Sequence, residues 1–479
     1  MVISFRDPSG FVINSQGRII RVISETGKDD FQTSLVSPAV KGFVNSGKLV
    51  SAHPLDPAEL KQLLTHLRLE SLPADFPVAL VVEHERIPFQ SFPYEWPPEM
   101  LHASASLTLD LAEGALVENL GLKDATPYNI LFRGAMPVFV DWLSFERRDP
   151  LDPVWLPYAQ FIRTFILPLL VNLNFGLRLD QLLIANRDGL EPEAVYQMCG
   201  AIRKFSPSFL SLVSLPTLLG AKHNPASTGI YQRRNSASPE KAQFILLQQF
   251  RRFRRLLRKV ALPKSRASTW SNYMGPEQHF TNNYLLKKQS FVEDALKEFS
   301  PGRVLDVGCN NGHFSRIAAA QDASVVAIDQ DPVVVGQVWH TAAAEGLNIL
   351  PLVVDLTRPS PGVGWRNIEN PSFIERAKGS FDAVLMLAVI HHMMVSERIP
   401  LNEILALVAE ITTDILIIEF IGTDDPMFLQ LTRGRKDLFS YLTREYFEQA
   451  CGRYFTILRF EELEESKRWI YLLQRKQAR

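Results

Sequence analysis

Cysteine is scarce: Cys199, Cys309 and Cys451 are the only three in 479 residues. They are too few and too far apart for a disulfide framework or a zinc site, which points to a reducing compartment. An excess of one charge is missing too. The 51 Lys and Arg against 52 Asp and Glu leave a net charge of −1, and so no global electrostatic reason to expect a nucleic-acid partner. No apolar run is clean enough for a transmembrane segment. The most apolar stretch, VWLPYAQFIRTFILPLLVNLNFGL (154–177), carries Gln160, Arg163, Asn172 and Asn174 and reads as a buried helix pair broken near Pro168. The opening MVISFRDPSGFVINSQ mixes charge and turn residues, unlike a signal peptide. Internal repeats are also lacking. What is present is an apolar share of 46% with 22% charged residues, in a chain long enough for two or three domains. A cytoplasmic setting is expected.

Hydrophobic patterning divides the chain at about residues 95, 220 and 267. Residues 1–95 read as a small strand-rich lobe: FVINS and RIIRVI flank a Gln16-Gly17 turn as a hairpin, and PVALVVE (77–83) is a further strand. Residues 96–220 read as mainly helical. Leu101, Ala105, Leu109, Ala112 and Leu116 recur at spacings of three and four, with Pro97 and Pro98 suited to the first turn. Residues 221–267 hold a Ser-, Asn- and Pro-rich linker, then a basic amphipathic helix with Arg251, Arg252, Arg254, Arg255, Arg258 and Lys259. A solvated or domain-bridging face is the preferred reading of that helix, ahead of a phosphate or membrane site. From 268 to 479 strands and helices alternate as in a parallel α/β sheet.

In that last region RVLDVGCNNGHFSRIAAA (303–320) reads as strand, glycine turn and helix. Asp306 precedes Gly308, and Gly308 and Gly312 bracket a turn where a ligand approaches the backbone. The dinucleotide pattern G-x-G-x-x-G fails, because Asn310 and His313 occupy two of its positions. SVVAIDQD ends in Asp329, placed to accept ribose hydroxyls, and NILPLVVDL ends in Asp355, placed to accept from an adenine amino group. FDAVLMLAVIHH reads as a fourth strand over 381–392, carrying His391 and His392 at its end, and DILIIEF as a fifth, ending near Glu419. Polar ends on successive strands place one ligand site along the carboxyl edge of the sheet.

Residues 268–479 thus resemble class I S-adenosylmethionine-dependent methyltransferases. The resemblance implies a Rossmann-like seven-stranded sheet with an antiparallel last strand, formed here by YFTILRFEEL and RWIYLLQR. It implies that Asp306, Gly308 and Gly312 hold the amino-acid end of the cofactor, Asp329 its ribose, and Asp355 with Leu356 its adenine, with Cys309 also among the cofactor-binding residues. It also implies a lid helix before the first strand, with Tyr273, Tyr284 and Lys287 or Lys288 as lid residues. His391, His392 and Glu419 are the acid/base candidates if the acceptor is a hydroxyl.

The segment LKDATPYNILFRGAMPVFVDW (122–142) sets Asp124 before Asn129 and, beyond two short apolar strands, Asp141. A base, an amide and a carboxylate at such positions suit phosphoryl transfer. Residues 1–220 accordingly resemble the aminoglycoside and choline kinase group, implying an α+β kinase-like domain with Asn129 and Asp141 as metal ligands only if the kinase is active. Departures are Leu122 in place of the loop histidine, no glycine-rich phosphate loop, and Arg18 and Arg21 where a lysine is expected. Magnesium-ATP therefore ranks second to an acceptor or regulator as the ligand of this pocket. The chain as a whole is similar to a family of large bacterial methyltransferases described by likeness to a nodulation host-specificity protein, which implies a small-molecule or saccharide acceptor. The expected activity is methyl transfer from S-adenosylmethionine. A methyltransferase that is also a kinase, or a non-catalytic sensor of S-adenosylmethionine, are the alternatives.

Overall fold

The computed structural model describes residues 2–4, 6–15, 17–56, 59, 76–220, 235–263, 266–268, 282–463 and 467–476. The chain forms two compact units. The first comprises Met1–Tyr94, Pro98–Phe132 and Pro137–Leu262, the second Glu95–Pro97, Arg133–Met136 and Pro263–Arg479.

The first unit is α+β. Its larger sheet has five strands, β1 (Val2–Ser4), β2 (Gly10–Ser15), β3 (Arg18–Ser24), β4 (Ala52–Pro54) and β5 (Val78–His84), in the antiparallel order β1-β2-β3-β5-β4. The β2/β3 hairpin forms as its β-branched pattern predicts, with Ile13 opposite Ile20. Between β3 and β4 lie two helices, Glu25–Val36 and Pro38–Asn45, where the sequence reading expects only strands and turns. The reason is local: Ser37 Oγ accepts from the Val40 amide and Pro38 takes the first turn, while Phe31 and Val40 are buried. The expected long helix spans Pro98–Ala115, with Leu101, Ala105, Leu109 and Ala112 all buried. Short pairs follow: β6 (Leu120–Leu122) with β9 (Phe145–Arg147), and β7 (Ile130–Arg133) with β8 (Met136–Phe139).

The apolar stretch at 154–177 is one irregular helix rather than a broken pair. Tyr158–Phe161 runs through a π-helical turn, Ile162–Ile166, into Leu167–Phe175. Pro168 has no N–H for the carbonyl four residues back, and the wider turn just before it absorbs that mismatch. No helix among the described residues is long and apolar enough to cross a membrane.

The second unit is α/β, built on seven strands: β10 (Arg303–Val307), β11 (Ser324–Asp329), β12 (Ile349–Val353), β13 (Phe381–Met386), β14 (Thr412–Ile421), β15 (Phe455–Glu462) and β16 (Arg468–Arg475). Their order is β12-β11-β10-β13-β14-β16-β15. The first five neighbours are parallel, and β16 runs antiparallel to both β14 and β15. The last strand is therefore antiparallel as expected, and it inserts between β14 and β15. The parallel strands β11, β12 and β13 are buried almost throughout, as sheets covered on both faces require. Strand order reverses between β10 and β13, the position where α/β sheets open a crevice at their carboxyl edge.

Candidate functional site

The chain leaves β10 through a turn that only unusual backbone angles permit. Gly308 has φ +70°, and a Cβ there would sit 2.5 Å from Val389 Cγ2. Asn310 follows at φ +47°, consistent with the tolerance of asparagine for such turns. The amides of Gly308 and Cys309 donate to the Ile328 carbonyl at 2.8 and 3.0 Å, fastening the loop across β11. Gly312, at φ +77°, opens the helix His313–Ala319.

A cavity of about 310 Å³ lies at this edge, at the lower end of the roughly 300–1,000 Å³ common for ligand sites. Gly308, Asp329, Asp355 and Leu356 line it, so four of the seven residues expected at a cofactor meet there. Asp306, Cys309 and Gly312 do not line it; the side chains of Asp306 and Cys309 are buried. Asp329 accepts from the amides of Asn310 (3.1 Å) and Asp331 (3.0 Å); burial pushes its carboxyl above the usual range, with those amides opposing. Asp355 accepts from the amide and hydroxyl of Thr357 at 2.9 and 2.5 Å. Neither Asp329 nor Asp355 has an ion-pair partner among the described residues. Val354, Leu387, Val389 and Met393 supply an apolar wall. Two unneutralised carboxylates beside an apolar wall fit a cationic nucleoside such as S-adenosylmethionine, whose sulfonium and ammonium carry positive charge.

The sequence reading misses the segment Leu387–Glu397 as cavity wall. The fourth strand stops at Met386, not at residue 392. Ala388 takes φ +57°, and the chain re-enters as the helix Ile390–Val395. His391 and His392 therefore stand on a helix, with ring centroids 4.2 Å apart. His392 lines the cavity. His391 is buried, and its Nδ1 has no hydrogen-bond partner among the described residues. Burial first, then Arg468 nearby, pulls His392 below the ordinary histidine range; burial, His392, Arg468 and Lys288 do the same to His391. Both rings are neutral at pH 7.

Glu419 does not face the cavity as an acid/base group would. It is fully buried on β14 and accepts from Lys288 Nζ at 2.5 Å and Tyr284 Oη at 2.7 Å, with Arg468 Nη1 at 3.5 Å. Arg468 also makes a two-pronged pair with Asp425, at 2.8 and 3.1 Å. Burial pushes the Glu419 carboxyl up, but Lys288 and Arg468 outweigh it and hold it below the usual range. Tyr284 and Lys288, expected as lid residues, thus anchor the helix Asn282–Phe299 to the sheet, while Lys287 is exposed. Tyr273 lies outside the described residues.

Asp306 accepts from Ser315 Oγ at 2.6 Å, and burial, partly opposed by Ser315, pushes its carboxyl up to about 6. A raised carboxylate favours the fold fully below its unfolded value near 3.8 and loses that contribution as pH rises through about 6. At pH 7 the ionised group is a liability. Asp306→Asn is therefore expected to raise stability at pH 7 by on the order of 2–3 kcal/mol and to match the parent at pH 4. Paired denaturant melts at the two pH values check this; an unchanged or lower stability at pH 7 contradicts it.

In the first unit the structure joins Asp124, Asn129 and Asp141. Asn129 Nδ2 donates to Ser144 Oγ at 3.0 Å, and that hydroxyl donates to Asp141 Oδ2 at 2.6 Å. Asp141 Oδ1 pairs with Arg21 Nη1 at 2.9 Å, so both carboxylate oxygens are engaged. Arg21 Nε also donates to His84 Nε2 at 3.2 Å; burial and Arg21 pull His84 down to about 3, so it stays neutral. Burial, then Asp141, pushes Asp124 up. Arg18 pairs instead with Glu83, at 2.5 Å. Among the described residues no group of three or more His, Cys, Asp or Glu is arranged to hold a metal ion.

Residues 278–454 match the methyltransferase domain family. Over 475 residues the chain is 28% identical to nodulation protein NoeA of Rhizobium meliloti (strain 1021), covering 98% of this chain and 95% of that protein. Solved structures with likeness include the N-methyltransferase NodS of Bradyrhizobium japonicum, with 11% identity, a TM-score of 0.31, and coverage of 41% of this chain and 98% of that one. Another is the bifunctional kinase-methyltransferase WbdD, with 19% identity, a TM-score of 0.31, and coverage of 42% and 41%. With the seven-stranded sheet and the acid-lined cavity at its switch point, the domain match establishes that this chain is an S-adenosylmethionine-dependent methyltransferase carrying its transferase domain in the second unit.

Proposed function

We propose that the enzyme methylates a hydroxyl of a small molecule or saccharide, with His392 as the general base. The observation that carries this is a neutral imidazole on the wall of the same cavity that Asp329 and Asp355 line. In this reading Asp329 receives the ribose hydroxyls, Asp355 and Leu356 the adenine, and the Asp306–Gly312 loop the amino-acid end. S-adenosylmethionine supplies an electrophilic sulfonium methyl. The protein's own contribution is to align the acceptor and to take its proton at a ring nitrogen of His392. His391 packs behind it, and Glu419 holds the helix Asn282–Phe299 rather than moving protons.

The polar cluster of the first unit binds the acceptor or a regulatory ligand. Phosphoryl transfer needs a carboxylate open to magnesium. Here the guanidinium of Arg21 already neutralises Asp141, which supports a pocket that no longer transfers phosphate.

The test is transfer of tritiated methyl from S-adenosylmethionine to a fractionated lysate. Label is expected in a saccharide or small-molecule fraction. His392→Ala is expected to lose on the order of 10²–10⁴ in turnover with cofactor affinity retained, and the parent's acid limb should lie below pH 6.5. Asp124→Ala should raise the acceptor KM alone. Intact cofactor binding without any transfer would instead favour the sensor.

A further inference from the structure

The basic helix of the first unit spans Pro239–Val260, roughly 33 Å long. Ser238 caps it, accepting from the Lys241 amide at 3.3 Å. One face is buried: Ala242, Leu246, Phe250, Phe253, Leu257 and Val260. Among the described residues, Arg254 alone of its seven cations is paired internally, reaching Asp110 at 2.9 Å and Glu113 at 2.7 Å. The other six, Lys241, Arg251, Arg252, Arg255, Arg258 and Lys259, are exposed and have no ion-pair partner among the described residues. At 100° per residue they share an outward arc of roughly 120°. Glu240, in the first turn, is the helix's single acidic residue. Phe244 stands on the same arc and Ile245 at its edge, 60% and 40% exposed.

We propose that this outward face docks the protein on an anionic phospholipid bilayer. A basic face with two exposed apolar side chains in its N-terminal half matches an interfacial helix: the cations meet lipid phosphates while Phe244 and Ile245 enter the headgroup boundary. The local charge is not a by-product of a basic protein, since the whole chain carries −1. A polynucleotide would use the cations but has no call on exposed Phe244 and Ile245, which favours the bilayer.

The experiment is co-sedimentation of the full chain with phosphatidylcholine vesicles, with and without phosphatidylglycerol. The parent is expected to sediment only with the anionic vesicles, and less as salt rises. Arg251→Glu/Arg255→Glu/Arg258→Glu is expected to bind at least roughly 100-fold more weakly. Phe244→Ser/Ile245→Ser should weaken binding at every salt concentration. A thermal unfolding profile unchanged from the parent's in both variants confirms their folding. The proposal is overturned if the parent ignores anionic vesicles, or if the triple variant sediments like the parent. It is equally overturned if duplex DNA is bound in preference and the Phe244/Ile245 variant behaves like the parent.

Discussion

Asp329→Ala is expected to bind S-adenosylmethionine or its demethylated product roughly 10²–10⁴-fold more weakly than the parent. The size follows from two hydroxyl-to-carboxylate hydrogen bonds, each worth roughly 1.5–3 kcal/mol. The carboxyl of Asp329 is already raised by burial and lacks a cationic partner, so the free protein gains little from its charge. Its value is realised when a ligand donates to it. Loss of the two amide contacts to Asn310 and Asp331 also loosens the loop, which acts in the same direction. Calorimetric titration of the product analogue reads the effect directly. Unchanged affinity in a folded variant would remove Asp329 from the cofactor site.

The second large effect is on stability. Lys288→Met leaves the Glu419 carboxylate buried with Arg468 at 3.5 Å as its remaining charge partner. Removing one member of a buried ion pair typically costs about 3–5 kcal/mol, because the other charge stays desolvated. At about 2–4 °C per kcal/mol, the melting temperature of this domain is expected to fall by on the order of 10 °C. Lys288→Met/Glu419→Gln should recover part of that loss, since the uncompensated charge goes with its partner. Two single losses that simply add in the double variant would contradict a coupled network.

The polar carboxyl edge of the sheet is legible because parallel strands buried on both faces read as apolar runs, and their polar last residues stand out against them. Asp329 and Asp355 are such residues, and both reach the cavity. Asp306 looks equivalent in sequence but stands one residue inside the end of β10, where it is buried and held by Ser315. The end of the fourth strand was misjudged because the turn rests on an alanine at positive φ, a conformation that its side chain gives no reason to expect. The Glu419 network was invisible for a different reason. Its partners are separated by 131 residues for Lys288 and 49 for Arg468, and only the folded sheet brings them together. The same holds in the first unit, where Arg21 looked like a displaced phosphate ligand and instead neutralises Asp141.

The most direct test of the account is ultraviolet crosslinking of methyl-labelled S-adenosylmethionine to the full chain, followed by peptide mapping. Label is expected on peptides containing Gly308–Asn310, Asp329–Gln330, Asp355–Thr357 or Leu387–Glu397, suppressed by excess unlabelled cofactor. Competable label confined to peptides of the first unit, such as those bearing Asp124 or Asp141, would contradict it.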